Sequence, residues 1–585
     1  MADEARFLVV AIDVGTTYSG YAMSFTDEKY AIQAIREVDG HSPIAGCPTP
    51  GKVPTALLLK PDGSFHSFGH KALHYYNIEL DEEGQKQWMY FSRFKMSLHQ
   101  TKHLSRSSMA IAANGKEIPL KTVFAFSLGH FKDAAIDQIS SCSMYDVDPQ
   151  HVKWVITVPA IWDDGAKQIM REAAYEGGLT SLFHPERLVI SLEPEAAAVY
   201  CKAIHLMSSA VHETENTSVA YESGTRYLLA DLGGGTVDVA VHEVQQDDLI
   251  RELHHATGGA WGGTYVDKNF VDLLVRVFGQ ASIDKFRREH QGDWVDLMSN
   301  KFESAKRCAE QNGKLFVELP FDFYGFMISE GKSVKDSINR FNNANVKFSH
   351  GKLTINFPEV RKLFEPVFAN ILAHLKHLLE KISNIKFMIL VGGFATCRLL
   401  QDYLKEAFEK SFGLRVIAAR EPSLSVVMGS VLFGHDPLVF LSRRVKYTYG
   451  VESSRDFRRG VDPESQLTYG DDGVAKCAFT FTVFVRKNTE IEIGQEIVNT
   501  FSPLCPDSIE VKVIICTSDD VNPRYTTDEG VKKAAVMKLP MPNTAKGKNR
   551  VIKVFMQFGA TEVVVRSEDM SSGNMAKRRV LLDFL

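Results

Sequence analysis

The sequence predicts an α/β protein of two similar lobes around a shared cleft, followed by a smaller β-rich domain, and three observations carry that prediction. An apolar strand, an Asp-Gly-Thr turn and a second apolar strand occur twice, in FLVVAIDVGTTYSGYAMSF (7–25) and YLLADLGGGTVDVAVHEV (227–244), so Asp13 and Asp231 hold equivalent places in two copies. Strands alternate with helices through residue 436. Beyond Asp436-Pro437 the texture changes to short β-branched runs separated by turn-prone stretches.

The first copy reads as a strand, a turn at Asp13-Val14-Gly15-Thr16-Thr17 and a strand. VKWVITVPAIW (152–162) reads as a buried strand, and the helix after it starts near Asp163, a capping residue, and stops at Gly177-Gly178. LVISLEPEAAAVYCKAI (188–204) reads as a strand, a turn and an Ala-rich helix opened by Pro194. The polar, Ser-rich stretch 205–226 reads as a mobile surface insertion ahead of the second copy. SNKFESAKRCAEQ (299–311) reads as a helix with Glu303 three and four residues before Lys306 and Arg307. FMILVGGFATCRLLQDYLKEAF (387–408) reads as a strand, a glycine pair and a helix, which aims helix N–H groups at an anion.

DPLVFLSRR (436–444) reads as a joining segment, after which FTFTVFVRKNTEIEI (479–493), IEVKVIICTS (509–518), RVIKVFMQFG (550–559) and TEVVVRS (561–567) predict an antiparallel β-sandwich. The expected domains are therefore 1–436, with lobe I at about 1–205 and 419–436 and lobe II at about 206–418, a linker at 437–446, and a β-rich domain at 447–585.

A chain of 585 residues exceeds what one core serves. A net charge of −5 gives no basic footprint, which argues against nucleic acid or an anionic membrane as the main partner. The 8 cysteines show no CxxC pair and no zinc-like spacing with histidine, so they read as buried thiols of a reducing compartment. The opening MADEARF is acidic where a secretory signal is basic, and no stretch approaches the roughly 20 apolar residues of a membrane span. These features point to a cytoplasmic protein without a transmembrane segment, in which the Asn216-Thr217-Ser218 triplet is a chance glycosylation match.

The three glycines Gly233, Gly234 and Gly235 weaken a strand and so need a reason. A tight turn is one; close approach of a phosphate chain to exposed backbone N–H groups is the other. Two aspartates facing each other across a cleft do not both stay ionised without a cation between them, a role that Mg²⁺ fills with carboxylate and phosphate oxygens. Asp13 and Asp231 are candidates for that pair, against the plain reading of turn aspartates. Thr16 and Thr17 could cradle a phosphate and Thr236 could hold an attacking water, although threonine is also an ordinary strand residue. Glu193 could order water or metal, or could simply complement a helix dipole.

Taken together, Asp13-Val14-Gly15-Thr16-Thr17-Tyr18, Val158-Pro159-Ala160, Glu193-Pro194, Asp231-Leu232-Gly233-Gly234-Gly235-Thr236-Val237-Asp238 and Val391-Gly392-Gly393 resemble the ATPase motifs of the 70-kDa heat shock chaperones, within the actin-like superfamily. FSRFKMSL, VGGFATCRLL, YTYGV, DEGVKK and the closing LLDFL look more like the divergent heat shock 70 kDa protein 12 (A/B-like) branch than an ordinary chaperone. The resemblance implies a duplicated actin-like (ribonuclease H-like) ATPase domain that binds ATP or ADP with Mg²⁺. By resemblance Asp13 and Asp231 hold the metal through water, and Gly15, Thr16, Thr17, Tyr18 and Gly233 to Gly235 bind phosphates. Glu193, Thr236 and Asp238 surround the attacking water, Gly262-Gly263 brings backbone near the phosphates, and Glu303, Lys306, Arg307, Gly392, Gly393 and Phe394 form the adenosine pocket.

Arg93 and Lys95 compete for the family's phosphate-side lysine. Phe394 and Glu310 stand where ordinary members have serine, and Ser423 stands near a position usually acidic. KNTEIEI (487–493) resembles the start of the family's peptide-binding sandwich, whereas the linker lacks the usual leucine and aspartate alternation. With Leu585 directly after the sandwich, neither a helical lid nor acidic-tail docking of co-chaperones is expected. The implied function is a slow ATPase that acts as a chaperone-like or signalling scaffold protein on protein clients or signalling partners. The alternatives are a catalytically inactive nucleotide-binding scaffold and a sugar kinase of the same architecture.

Overall fold

Seven consecutive buried residues, LVVAIDV, form β1 (Leu8–Val14), an unalternating apolar run because both faces of the strand are covered. β1 pairs antiparallel with β2 (Tyr18–Phe25), Asp13 opposite Gly20. On its other side it pairs in parallel with β3 (Val152–Val158), which pairs in parallel with β4 (Leu188–Leu192). The order β4-β3-β1-β2 is completed by the short strands Gln33–Ala34 and Val53–Pro54, both on β2. The computed structural model describes residues 7–34, 51–101, 104–142, 151–209, 222–246, 249–470, 473–558, 562–570 and 578–581. Of the features read above, residues 1–6, Cys47, the Asn216-Thr217-Ser218 triplet, positions 210–221 of the insertion and the closing residues 582–585 lie outside them.

Helix α1 (Asp164–Glu176) starts where the sequence places it: the Asp163 side chain accepts the Ala166 N–H at 2.9 Å, and Gly177 ends the helix. Helix α2 (Glu193–Ser209) follows β4 without the expected turn. Pro194 suits the first helical turn, so Glu193 is itself the first helical residue.

A second sheet repeats the order of the first. β5 (Arg226–Leu232) neighbours β6 (Val237–Val244), and β5 pairs in parallel with β8 (Ile385–Val391), which pairs in parallel with β9 (Arg415–Ala418). β7 (Ile250–Gly259) follows β6 in chain and sheet. Asp13 and Asp231 are each the sixth residue of a seven-residue strand. Helix α3 (Thr264–Phe278) follows β7. The helix expected over 299–311 is shorter: a wide turn at Leu297–Phe302 leads into a helical segment Glu303–Arg307 that stops at Cys308. After β8 a single turn, Phe394–Thr396, separates Gly392-Gly393 from helix α4 (Arg398–Phe412).

The chain divides into two compact units, Met1–Ala240 with Ala256–Pro437, and Val241–His255 with Leu438–Leu585. The first sheet and β5, β8 and β9 of the second lie in the first unit, whereas residues 241–255 of β6 and β7 belong to the second. In the second, part of the expected linker is a strand: Phe440–Arg444 pairs in parallel with Ile250 and Arg251, and antiparallel with Glu490–Glu492. Arg251 donates to both oxygens of Glu490 at 2.6 Å, a bidentate pair.

The rest of this unit is two antiparallel sheets. One has the order Leu467–Tyr469, Ala475–Val485, Thr448–Asp456, Glu510–Ser518, Val531–Pro540; the other Glu496–Phe501, Ile552–Gln557, Val564–Asp569, Arg578–Leu581. Val451, Ile515, Met537 and Leu539 of the first share one buried core with Val554, Met556 and Val565 of the second. Cys201, Cys308, Cys397, Cys477, Cys505 and Cys516 are free thiols. Among the described residues no helix is long and apolar enough to cross a membrane.

Candidate functional site

The turns after β1 and β5 meet face to face, and this meeting explains the glycines as much as any ligand does. A Cβ on Gly234 would lie 2.5 Å from Thr17 Oγ1, and one on Gly235 would lie 2.5 Å from Thr16 Oγ1 and collide with Met96. Any side chain here would force the two hairpins apart. The carbonyls of Gly233, Gly234 and Gly235 accept from the amides of Gly263, Thr264 and Gly262 at 3.2, 2.8 and 3.1 Å. With its carbonyls engaged, the loop offers its amide side to an anion. Gly262 in turn has no room for a side chain, because its Cβ would sit 2.5 Å from the carbonyl carbon of Gly234. Gly262→Ala should therefore cost about 1–3 kcal/mol by pushing the two loops apart, read as a lower denaturation midpoint.

Between the hairpins lies a cavity of about 870 Å³, its open mouth included. Asp13, Gly15, Thr16, Thr17, Tyr18, Glu193, Asp231, Gly233, Gly234, Gly235, Thr236, Gly263, Glu303, Lys306, Arg307, Gly392, Gly393 and Phe394 line it. Gly262 and Asp238 do not. Gly262 backs the glycine loop, and the buried Asp238 carboxylate accepts the Ile161 N–H at 2.8 Å, anchoring the loop after β3. Ser423 also lines the cavity, whereas Glu310 is exposed and away from it.

Arg93 and Lys95, the two candidates for a phosphate-side cation, lie in different places. Lys95 is buried in the cavity wall with Nζ 2.5 Å from Glu193 Oε1, while Arg93 donates to Asp267 Oδ2 at 2.7 Å and does not line the cavity. Two residues that sequence reasoning passed over complete the acidic end. Lys52 Nζ lies 2.5 Å from Asp13 Oδ2, and Thr157 Oγ1 donates to Asp13 Oδ1 at 2.8 Å. Thr157 carried a faint signal, a polar residue inside the apolar, buried run WVITV. Lys52 carried none: it reaches Asp13 because Val53 and Pro54 pair with Ser19 and Tyr18 of β2.

The carboxylates here are in unequal states. Burial raises Asp13, but the Lys52 and Lys95 ammoniums outweigh it and hold the group below its ordinary value. Burial, then the charges of Glu193, Asp238 and Asp13, pushes Asp231 well above the usual carboxylate range. Burial also wins at Glu193, pushed up to about 7 despite the pull of Lys95. Asp231 is thus the carboxylate most in need of a cation; among the described residues no lysine or arginine forms an ion pair with it.

At the opposite end Lys306 Nζ contacts Asp267 Oδ1 at 2.7 Å, Glu303 Oε2 at 2.5 Å and the Gly263 carbonyl at 3.3 Å. Arg307 pairs with Glu303 at 2.9 Å and lies over the Tyr18 ring, 4.2 Å from its centroid. Phe394 is buried against Gly263. A charged end and an aromatic, guanidinium-bearing end in one cleft suit a ligand with a phosphate chain and a flat base.

The family model described as Hsp70 protein matches residues 92–421, which include the β5–β6 hairpin and the Glu303 cluster but not Asp13 or Lys52. Over 635 aligned positions the chain is 36% identical to heat shock 70 kDa protein 12A of Mus musculus, covering 100% of this chain and 93% of that protein. It is 35% identical to heat shock 70 kDa protein 12B of Homo sapiens, covering 99% and 91%. Chaperone protein DnaK of Thermosipho melanesiensis is 26% identical over 432 positions, 72% of this chain and 58% of that protein. The chain belongs to the Hsp70 family, in the branch of heat shock 70 kDa proteins 12A and 12B.

Proposed function

We propose that the cavity binds adenine nucleotide and that the chain is an atypical, slowly ATP-hydrolysing member of its family, a chaperone-like or scaffold protein governed by its nucleotide state. One observation carries this reading: two hairpins of the same form meet through Thr16, Thr17, Gly234 and Gly235, with paired acidic residues behind them and an aromatic pocket beside them. On this reading the two sheets of equal strand order are the halves of a duplicated actin-like domain, and the β-rich unit serves protein partners in the cytoplasm.

The amides of Gly234 and Gly235 and the hydroxyls of Thr16 and Thr17 hold the phosphates, and Arg307, Phe394, Gly392 and Gly393 flank the base. Thr236 and Glu193 hold the attacking water, with Glu193 near neutrality able to accept its proton. Asp238 keeps the loop after β3 in place through Ile161. The donor chemistry fits a hydrated Mg²⁺ at Asp231, whose charge is uncompensated, but not equally at Asp13, where Lys52 and Thr157 already occupy both oxygens. When bound, the ion would neutralise phosphate charge.

Single-turnover phosphate release and thermal shift on wild type and Asp231→Asn test the reading together. Nucleotide at about 100 times its Kd should add ~2.7 kcal/mol to native stability. Wild type should release phosphate, and Asp231→Asn should not. A wild-type protein stabilised by neither ATP nor ADP overturns the proposal. Stabilisation without release supports instead the inactive scaffold, a reading that Phe394 and Ser423 in the cavity wall favour.

A further inference from the structure

The cavity holds a positive charge of its own at the place where two facing aspartates would call for a metal. The Lys52 side chain is 10% exposed and that of Asp13 6% exposed, and their ion pair is 2.5 Å long. The other Asp13 oxygen accepts from Thr157. A cation reaching Asp13 must displace an ammonium from a buried carboxylate and then tolerate that ammonium nearby, and at low dielectric both steps are costly. Lys95, the other ammonium at this end of the wall, is committed to Glu193.

Lys52 is also equipped to do more than neutralise Asp13. An ammonium has three donors, and its bond to Asp13 Oδ2 uses one. The remaining two sit in the wall that also contains Thr16, Thr17 and the glycine loop. Without Lys52 the wall at this end would set the carboxylates of Asp13, Glu193 and Asp231 against one ammonium; with it they face two. A tethered charge needs no binding step, whereas a magnesium ion brings its charge only at the concentration available.

We infer that Lys52 is a phosphate-binding residue that serves as the fixed cation on the Asp13 side of the cleft, so that nucleotide binds here with little dependence on a divalent ion. The inference rests on the nucleotide reading above and deepens it by assigning the charge that holds the phosphates. Any divalent ion then sits toward Asp231 alone.

ADP titration of the full chain by calorimetry and thermal shift, in excess Mg²⁺ and in EDTA, tests this on wild type, Lys52→Arg and Lys52→Met. Wild type and Lys52→Arg should bind ADP within about threefold equally in the two buffers, since a fixed charge remains at Asp13. Lys52→Met should bind at least about tenfold more weakly in EDTA than in Mg²⁺, because only the metal then offsets the phosphates. The wild-type ratio needs no variant, so it decides the matter even if Lys52→Met fails to fold. A wild type that loses ADP binding in EDTA by tenfold or more overturns the inference and leaves the nucleotide reading standing. Lys52→Met binding as well as wild type in both buffers also overturns it. A wild type that binds ADP in neither buffer overturns both.

Discussion

Replacing Arg550 by methionine should destabilise the second unit by about 3–5 kcal/mol, because it strips a buried set of five guanidinium hydrogen bonds from backbone carbonyls, those of Ser508, Met541 and Pro506 among them. Arg550 is 0% exposed. Its Nη1 donates to the carbonyls of Ser508 at 2.6 Å and Met541 at 3.1 Å, its Nη2 to Pro506 at 2.7 Å and Cys505 at 3.4 Å, and its Nε to Gly547 at 2.9 Å. One guanidinium thus ties the loop before the strand Glu510–Ser518 to the end of Val531–Pro540 and to its own turn. Methionine keeps the apolar stem and removes every donor. Lysine should rescue little, since three donors on one atom cannot span this arc. All 5 tryptophans, Trp88, Trp154, Trp162, Trp261 and Trp294, lie in the first unit, so their fluorescence is blind to this change. Hydrogen exchange is the readout: amides of residues 510–518 and 531–540 should lose protection in Arg550→Met while tryptophan emission stays constant. Unchanged protection there would show that water replaces the guanidinium at small cost.

The same residue marks where sequence reading stops. GKNR at 547–550 looks like a solvated basic turn, and only the fold reveals that its last member is sealed inside. What could be read was whatever is local and repeated. Both Asp-Gly-Thr hairpins, the Asp163 cap and the Glu303-Lys306-Arg307 spacing are contiguous patterns, and each maps onto a strand end, a helix start or one helical turn. What could not be read depends on distant partners. Lys52 meets Asp13 across 39 residues by way of a two-residue strand, and Gly234 and Gly235 are small because of threonines more than two hundred positions earlier. Local pattern also misjudged lengths. The 299–311 stretch has helical spacing, yet the wide turn at Leu297–Phe302 takes up its start, and FLSRR, read as linker, has an edge it can pair.

Lys306→Met should be the most damaging single change in the first unit, at about 3–5 kcal/mol, and its pH dependence should identify the cause. Lys306 is 4% exposed, and its ammonium is shared between Asp267, at 0%, and Glu303, at 8%. Arg93 and Arg307 hold the outer oxygens, at 2.7 and 2.9 Å, so the lysine is the inner charge of an alternating cluster. Burial alone would raise Glu303, but Lys306 and then Arg307 outweigh it and hold the carboxyl at about 2. A carboxyl depressed in the folded state stabilises it above its unfolded value near 4.5, and that contribution is lost as pH falls through about 2. Without Lys306 both carboxyls should bind protons more readily in the folded protein than in wild type. The stability gap between variant and wild type is therefore largest near neutrality and narrows as pH drops below the ordinary carboxylate range. Denaturation followed by tryptophan emission measures this, since every tryptophan is in this unit. Lys306→Met with Asp267→Asn should recover part of the loss by removing the deepest orphaned charge. A deficit of equal size at every pH would mean that Lys306 acts through packing of its stem and not through its charge.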